Sequence, residues 1–197
     1  LANKNARAAI SMIIDNQAYC DVILNNGSIP TSTFTPRGLA FDNGKDYTDL
    51  TEGMGYEYNE EQAKELWEKA KEEVGFDTVE IKLLTYDHDL GKRTGEYIQS
   101  ELSDLEGLTV KVSNLPFKQK LEKETKGEFD LAFSGWGADY PDPLTYLSTM
   151  QTGNQFSNQV GYNSEEYNKL IEEAMKLPIT EGYAKYAEAE KLMLEDG

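Results

Sequence analysis

Hydrophobic residues in the first part of the chain recur at the spacing of an α-helix. Between Asn3 and Leu24 the apolar positions return every three or four residues, which is typical of an amphipathic helix. Those that share one side are Ala6, Ala9, Ile10, Ile13 and Ile14. The Asn-Asn-Gly run at 25–27 stops the pattern, so we predict a helix from Asn3 to about Leu24.

A long segment without periodicity follows, and then a second helical pattern. Residues 28–58 are rich in Ser, Thr, Pro, Gly and Tyr, and an irregular segment of this length is usually functional or packed across a surface. Asn59 is then placed to cap a helix that Gly75 ends. Its expected apolar stripe is Ala63, Leu66, Trp67, Ala70 and Val74.

From residue 78 onward, strand and helix patterns alternate. The predicted order is strand 78–86, helix 93–105, strand 108–113, helix 116–127 and strand 129–134. This alternation indicates an α/β domain, with a parallel or mixed sheet flanked by helices. Two further helices are predicted, one from Ser164 and one after Pro178. No change in composition marks a second domain, so we expect residues 1–197 to form a single α/β unit.

Charge and composition exclude several classes of function. The net charge of the 197-residue chain is −17, from 36 acidic and 19 basic residues, which argues against binding to nucleic acid or to an anionic membrane surface. The apolar runs are too short to cross a bilayer. A single cysteine, Cys20, excludes an internal disulfide, and its apolar setting favours a buried structural role.

The sequence offers little for catalysis. The only histidine, His88, lies in "TYDHDLGK" at a strand-to-helix turn, which we interpret as a solvated turn capped by its aspartates. Nucleotide-binding glycine motifs and a serine nucleophile motif are missing, and we predict neither a cofactor nor a metal. An acid-pair hydrolase remains an alternative, because carboxylates are abundant.

One stretch combines features of a ligand site. In "FDLAFSGWGADYPDPLTYL" (129–147) a strand leads into Gly135, Trp136, Gly137 and Asp139, and ligands of open α/β sheets bind beyond the carboxyl ends of the strands. The glycines allow another backbone to approach, the tryptophan offers a flat apolar surface, and the aspartate offers a charge. A tight loop with a packed Trp and a turn-forming Asp explains the residues equally well, and both interpretations are open at this point.

Four motifs, in order, resemble those of the solute-binding proteins of peptide-importing ABC transporters, the oligopeptide- and dipeptide-binding family 5. They are "NARAAISMIIDNQAY", "PTSTFTPRG", "GWGADYPDPLTYL" and "GYNSEEYNKLIEEAMK". The resemblance implies one lobe, on the C-terminal side, of a two-lobed periplasmic-binding-protein-like (type II) fold with a mixed sheet flanked by helices. It also implies a fragment excised from a longer protein, with an oligopeptide bound in the cleft between this lobe and an N-terminal lobe.

The resemblance assigns roles to individual residues. Asp139 would pair with the ligand's α-ammonium group, and the segment Gly135 to Gly137 would hydrogen-bond the peptide main chain. Trp136 and Phe117 would line side-chain pockets, and Phe133 and Ser134 would complete the ligand-binding set. Phe133 and Glu124 stand where some family members carry arginine for the ligand's carboxylate, so selection of peptide length by a carboxylate clamp is not implied here.

The resemblance further implies a non-enzymatic protein that delivers peptide to ABC permease subunits. Its location would be the periplasm or the outer face of a bacterial membrane, with a lipid anchor in the latter case. The same fold with nickel, haem or a signalling peptide as ligand is an alternative, and so is an adhesin-like interaction lobe.

Overall fold

A computed structural model describes residues 1–196, which group into two compact units. The first unit contains residues 1–30 and 56–135, and the second contains residues 31–55 and 136–196. That residues 1–197 act as one lobe stays a prediction. In chain order the regular elements are α1 (Lys4–Ile13), α2 (Asn16–Ala18), a π-helix (Tyr19–Leu24), β1 (Phe41–Asp42), β2 (Lys45–Asp46), a 3-10 helix (Tyr47–Leu50), α3 (Glu60–Val74), β3 (Val79–Tyr86), α4 (Asp89–Leu102), β4 (Leu108–Leu115), α5 (Phe117–Thr125), β5 (Leu131–Ala132), α6 (Leu144–Leu147), a 3-10 helix (Ser148–Met150), α7 (Gln155–Val160), α8 (Glu165–Ala174) and α9 (Ile179–Asp196).

The first unit is built on a three-stranded parallel sheet with the order β4-β3-β5. Its strands and the helices between them follow the predicted alternation, which confirms the α/β class. In register, Tyr86 at the end of β3 lies beside Leu115 at the end of β4. The strand predicted over 129–134 is shorter than expected: the ladder covers Leu131–Ala132, and one main-chain hydrogen bond to β3 flanks it on each side, from the Asp130 amide and from the Phe133 amide.

The continuous helix predicted from Asn3 to Leu24 is wrong. The backbone becomes extended at Ile14 after α1 ends, and the Asp15 side chain then accepts a hydrogen bond from the Ala18 amide to begin α2. The chain continues as a π-helix until Asn25, whose φ of 44° places it in the left-handed region. A local side-chain cap at Asp15 therefore outweighs the continuing apolar period.

Helix α3 begins and ends where the sequence predicts. The Asn59 side chain accepts from the Gln62 amide, and Gly75 ends the helix with a φ of 81°. The stripe is partly wrong, since Val74 is 59% exposed in the last turn. Helices α1 and α3 pack together over a core whose fully buried members include Ile13, Ala63, Trp67, Ala70, Leu83, Leu102 and Leu105.

The second unit has its own core, formed mainly by helices α8 and α9. Its buried members are Ala40, Tyr47, Leu147, Tyr167, Ile171, Ala174, Tyr183, Tyr186, Ala187, Ala189 and Met193. Ser164 caps α8, as expected for a helix beginning there. The sequence did not predict α6 or α7. The segment predicted as irregular contains the β1–β2 hairpin, whose turn residues Asn43 and Gly44 both have positive φ, as a tight two-residue hairpin turn requires.

Candidate functional site

The seven predicted site residues are divided between the two units. Phe117, Phe133, Ser134 and Gly135 belong to the first unit, and Trp136, Gly137 and Asp139 belong to the second.

In the first unit, aromatic rings gather at the carboxyl edge of the parallel sheet. Tyr86, the last residue of β3, stacks on Phe117 with ring centroids 6.3 Å apart and on His88 at 5.2 Å. The rings of Phe133 and Tyr86 meet edge to face, with their centroids 6.2 Å apart. Phe117 is 67% exposed, so its ring has a free surface that can contact an apolar group of a ligand.

Ser134 follows β5 and is fixed by a buried ion pair. Lys120, only 1% exposed, forms a salt bridge with Glu124 one turn further along α5. The Lys120 ammonium also donates to Ser134 Oγ at 2.6 Å, and Ser134 Oγ donates to Glu124 Oε1 at 2.5 Å. The ammonium further lies 4.4 Å from the centroid of the Tyr86 ring, a cation–π contact.

In the second unit, Trp136 is oriented by helix α6 and by α7. Its indole N–H donates to the Thr145 carbonyl oxygen at 2.9 Å, and its ring meets Phe156 edge to face at 5.3 Å. The Tyr146 hydroxyl donates to the Trp136 carbonyl oxygen at 3.2 Å. The tryptophan nevertheless stays 43% exposed, so one part of the ring is held while another faces solvent.

Asp139 is held through its main chain and not through its carboxylate. Its amide donates to Thr145 Oγ1 at 3.0 Å, and Thr145 is buried. Among residues 1–196 no hydrogen bond or salt bridge involves the exposed Asp139 carboxylate. Thr145 therefore fixes both Trp136 and Asp139, while the carboxylate remains accessible to a positively charged group.

Asp142 begins the turn that carries Thr145. Its Oδ1 accepts from the Leu144 amide at 2.9 Å, which starts α6. Burial raises the pKa of the Asp142 carboxyl above its usual range, and the hydrogen bond from Leu144 opposes this in part. Asp142 thus has a structural role in the loop, in contrast to Asp139.

Neither backbone conformation nor steric space within the described structure requires glycine at Gly135 or Gly137. Neither has a φ in the left-handed region, and a Cβ built on either would meet no described atom within 4 Å. Gly91 is a contrasting case, because a Cβ there would lie 2.3 Å from the Tyr86 carbonyl oxygen. The missing side chains at Gly135 and Gly137 leave the main chain open to approach.

Cys20 and His88 have structural roles. Cys20 is buried, as predicted, and burial followed by the nearby Asp21 raises the pKa of its thiol, which disfavours the reactive thiolate. The prediction that aspartates cap the turn at 87–89 is wrong, since His88 Nδ1 itself accepts from the Gly91 amide at 3.0 Å and begins α4.

Residues 1–196 offer neither a metal site nor a membrane span. Within that range no three His, Cys, Asp or Glu side chains are grouped so as to hold a metal ion. None of the helices described there is both long and apolar enough to span a membrane.

An α/β sheet whose last strand is followed in sequence by an exposed main chain at Gly135 is compatible with the binding of a solute. The chain belongs to the bacterial extracellular solute-binding proteins, family 5, whose family model matches residues 1–158. This family consists of solute-binding proteins and not of enzymes.

Several relatives and solved structures that are similar to the chain have names that refer to peptides. A dipeptide-binding protein of Lactococcus lactis is 32% identical over 181 residues, which cover 90% of this chain and 32% of the relative. The substrate-binding domain of an oligopeptide ABC transporter from Bacillus anthracis is 35% identical, with a TM-score of 0.92 over 98% of this chain and 38% of that structure. Listeria monocytogenes OppA, solved with bound peptide, is 34% identical, with a TM-score of 0.90 over 98% of this chain and 37% of that structure. The chain thus spans about a third of the length of the curated relatives it matches.

Sequence reasoning missed the residues that hold the predicted ones in place. Thr145 supports both Trp136 and Asp139, yet in sequence it is an ordinary threonine of a short helix. The lysine and glutamate at 120 and 124 have the i, i+4 spacing of an ion pair, which is a usable signal. Their burial against Ser134 was not predictable from that spacing.

Proposed function

We propose that the chain is one lobe of a non-enzymatic peptide-binding protein of a bacterial ABC importer. The peptide would lie in a cleft between this lobe and an N-terminal lobe and would be delivered to membrane permease subunits. The names and bound peptide of similar proteins support the ligand class. The protein would act in the periplasm or at the outer face of the membrane, where a lipid anchor would hold it.

The observation that carries this proposal is the arrangement at Asp139. Its main chain is fixed by the buried Thr145, and its exposed carboxylate has no described hydrogen-bond or salt-bridge partner. A peptide's α-ammonium group needs an opposite charge when it leaves water, because an unpaired buried charge is costly. Asp139 supplies that charge at a fixed place, and a charge-assisted hydrogen bond is the strongest that a peptide terminus can make.

The other predicted site residues of each unit offer features that suit the rest of a peptide. Gly135 and Gly137 leave their main chain open, so a peptide can pair with it much as an added strand does, which gives affinity without reading side chains. The half-exposed Trp136 and the exposed Phe117 offer apolar surfaces to peptide side chains. Phe133 and Ser134 complete the set at the end of the sheet. A site of this kind binds peptides of varied sequence.

A double-mutant cycle in titration calorimetry tests the role of Asp139. Asp139→Asn in the full-length protein keeps the shape and removes the charge, and it should cost about 2–5 kcal/mol of binding free energy, the range for breaking a desolvated charge pair. N-acetylation of the peptide should cost wild type a comparable amount. If both changes remove one contact, their joint effect is clearly less than additive.

The matched control is Asp142→Asn. It removes the same charge three residues away but preserves the oxygen that accepts from the Leu144 amide, so peptide binding should change little. Additive effects of Asp139→Asn and acetylation would show that Asp139 does not contact the amine. Peptide cleavage or glycoside turnover by the wild-type protein would instead support a hydrolase.

A further inference from the structure

We propose that Lys120 and Glu124 are positioning residues that hold the main chain at Ser134 and Gly135 in the conformation that binds peptide. The inference rests on the proposed function, and it assigns to a buried ion pair a role in ligand binding. The three side chains involved, Lys120, Glu124 and Ser134, are called the Lys120–Glu124–Ser134 cluster below.

The sheet alone does not hold the main chain at Ser134 and Gly135. The β3–β5 ladder pairs only Leu131 and Ala132 with β3. The Asp130 amide donates to the Lys82 carbonyl oxygen at 3.1 Å before the ladder, and the Phe133 amide donates to the Leu84 carbonyl oxygen at 2.8 Å after it, as the last bond of the pairing. Ser134 and Gly135 therefore leave the sheet directly after its last hydrogen bond, and both are exposed.

Two side chains of helix α5 hydrogen-bond the Ser134 hydroxyl. This hydroxyl accepts from Lys120 Nζ at 2.6 Å and donates to Glu124 Oε1 at 2.5 Å, so both of its hydrogen-bonding functions are used. Lys120 is itself fixed, because its ammonium lies over the Tyr86 ring at the end of β3. The cluster thus joins α5, the end of β3 and the chain that leaves β5.

The burial of the Lys120–Glu124 ion pair needs an explanation, because stability alone does not favour it. Removing two charges from water costs about as much as their attraction returns, and well-packed apolar residues often serve stability equally well or better. Lys120 is 1% exposed and Glu124 8%, so this pair bears most of that cost. An apolar pair would fill the space but could not hold a hydroxyl, whereas the ion pair fixes Ser134 and with it the main chain of Gly135.

The test replaces both charges with apolar residues of similar size in the full-length protein. Lys120→Met with Glu124→Leu should leave the melting temperature unchanged or raised. Amide exchange at Phe133 should become at least tenfold faster, because the strand end loses its side support. The Kd for peptide should rise at least tenfold, and by the same factor for free and amidated peptide C-termini.

Two further variants complete the design. Ser134→Ala leaves the ion pair intact and should also speed exchange at Phe133, with a smaller loss of affinity. Lys64→Met with Glu60→Leu removes an exposed i, i+4 pair on α3 and should change neither quantity.

The outcomes separate this proposal from the proposed function. Unchanged Phe133 exchange and peptide affinity in the folded double variant, or in Ser134→Ala, would overturn the positioning role. A loss confined to peptides with a free carboxylate would also overturn it, since Lys120 would then contact the ligand itself. Faster exchange in the variants, with no peptide binding by wild type, would support the cluster's hold on the strand end and reject the proposed function.

Discussion

Glu190 in α9 links this helix to other segments of the second unit through its carboxylate. It is fully buried, and its two oxygens accept four hydrogen bonds. Oε1 accepts from the amides of Phe34 and Thr35 at 2.8 and 3.0 Å. Oε2 accepts from Thr35 Oγ1 at 2.7 Å and from the Tyr47 hydroxyl at 3.0 Å. The carboxylate therefore fixes the main chain at Phe34 and Thr35, which lies outside the helices and strands.

The contacts give a magnitude for each substitution. Glu190→Leu removes the acceptor of two main-chain amides, the buried Thr35 amide and the partly buried Phe34 amide, at roughly 1–3 kcal/mol each. The total, about 2–6 kcal/mol, is a large part of the stability of an ordinary domain. Glu190→Gln should cost only about 1–2 kcal/mol, since its oxygen still accepts from the amides and its NH2 group can donate to the hydroxyls of Thr35 and Tyr47. Burial, followed by the facing Glu190, raises the pKa of Tyr47, so Tyr47 remains a donor in wild type.

Chemical denaturation followed by circular dichroism measures these differences. Because a multi-domain protein need not unfold in one step, amide exchange at Phe34 and Thr35 gives the local value. The control is Glu188→Gln, an exposed member of an ion pair with Lys185 on the same helix, which should be neutral. Equal effects of Gln and Leu at 190, or an effect of Leu no larger than that of the control, would show that the hydrogen bonds of Glu190 do not stabilise the second unit.

The remaining predictions concern three single side chains. Thr145→Val removes the hydroxyl that accepts from the Asp139 amide and should weaken peptide binding about fivefold, the equivalent of one hydrogen bond of about 1 kcal/mol. The control Thr149→Val deletes a neighbouring buried hydroxyl and should leave peptide binding unchanged. Equal calorimetric effects of the two variants would contradict the role of Thr145. His88→Ala should cost about 1 kcal/mol of stability because the helix cap is lost, and His88→Asn should cost much less. Cys20→Ala should leave peptide affinity within a few-fold of wild type. A hundredfold loss of affinity in a folded variant at either position would show a direct role in peptide binding.

The sequence predicted best those elements whose signals are local. Helix α3 begins at an Asn cap and ends at a left-handed glycine, and both signals lie within a few residues of the helix. The same holds for the Ser164 cap of α8. At Asp15 a local signal was present as well, but the apolar period on both sides of it masked the break between α1 and α2.

The support of the candidate site was not predictable, because it depends on contacts between distant elements. Glu190 reaches Thr35 across 155 positions of sequence, and no periodicity specifies that pairing. Lys120 and Glu124 have the spacing of an ordinary solvated pair, and only the packing of α5 against β3 buries them. Asp139 and Trp136 could be singled out from the sequence, whereas Thr145, which fixes both, could not.

Mass spectrometry of the material that co-purifies with the full-length protein will identify the natural ligand. The protein would be exchanged into volatile buffer, weighed intact, then denatured so that the released species can be sequenced. We expect peptides that carry a free α-amino group, and we expect Asp139→Asn to retain far fewer of them under the same purification. A bound species without such an amine, for example a metal ion, haem or a glycan, would show that the protein does not bind peptides through their α-ammonium group.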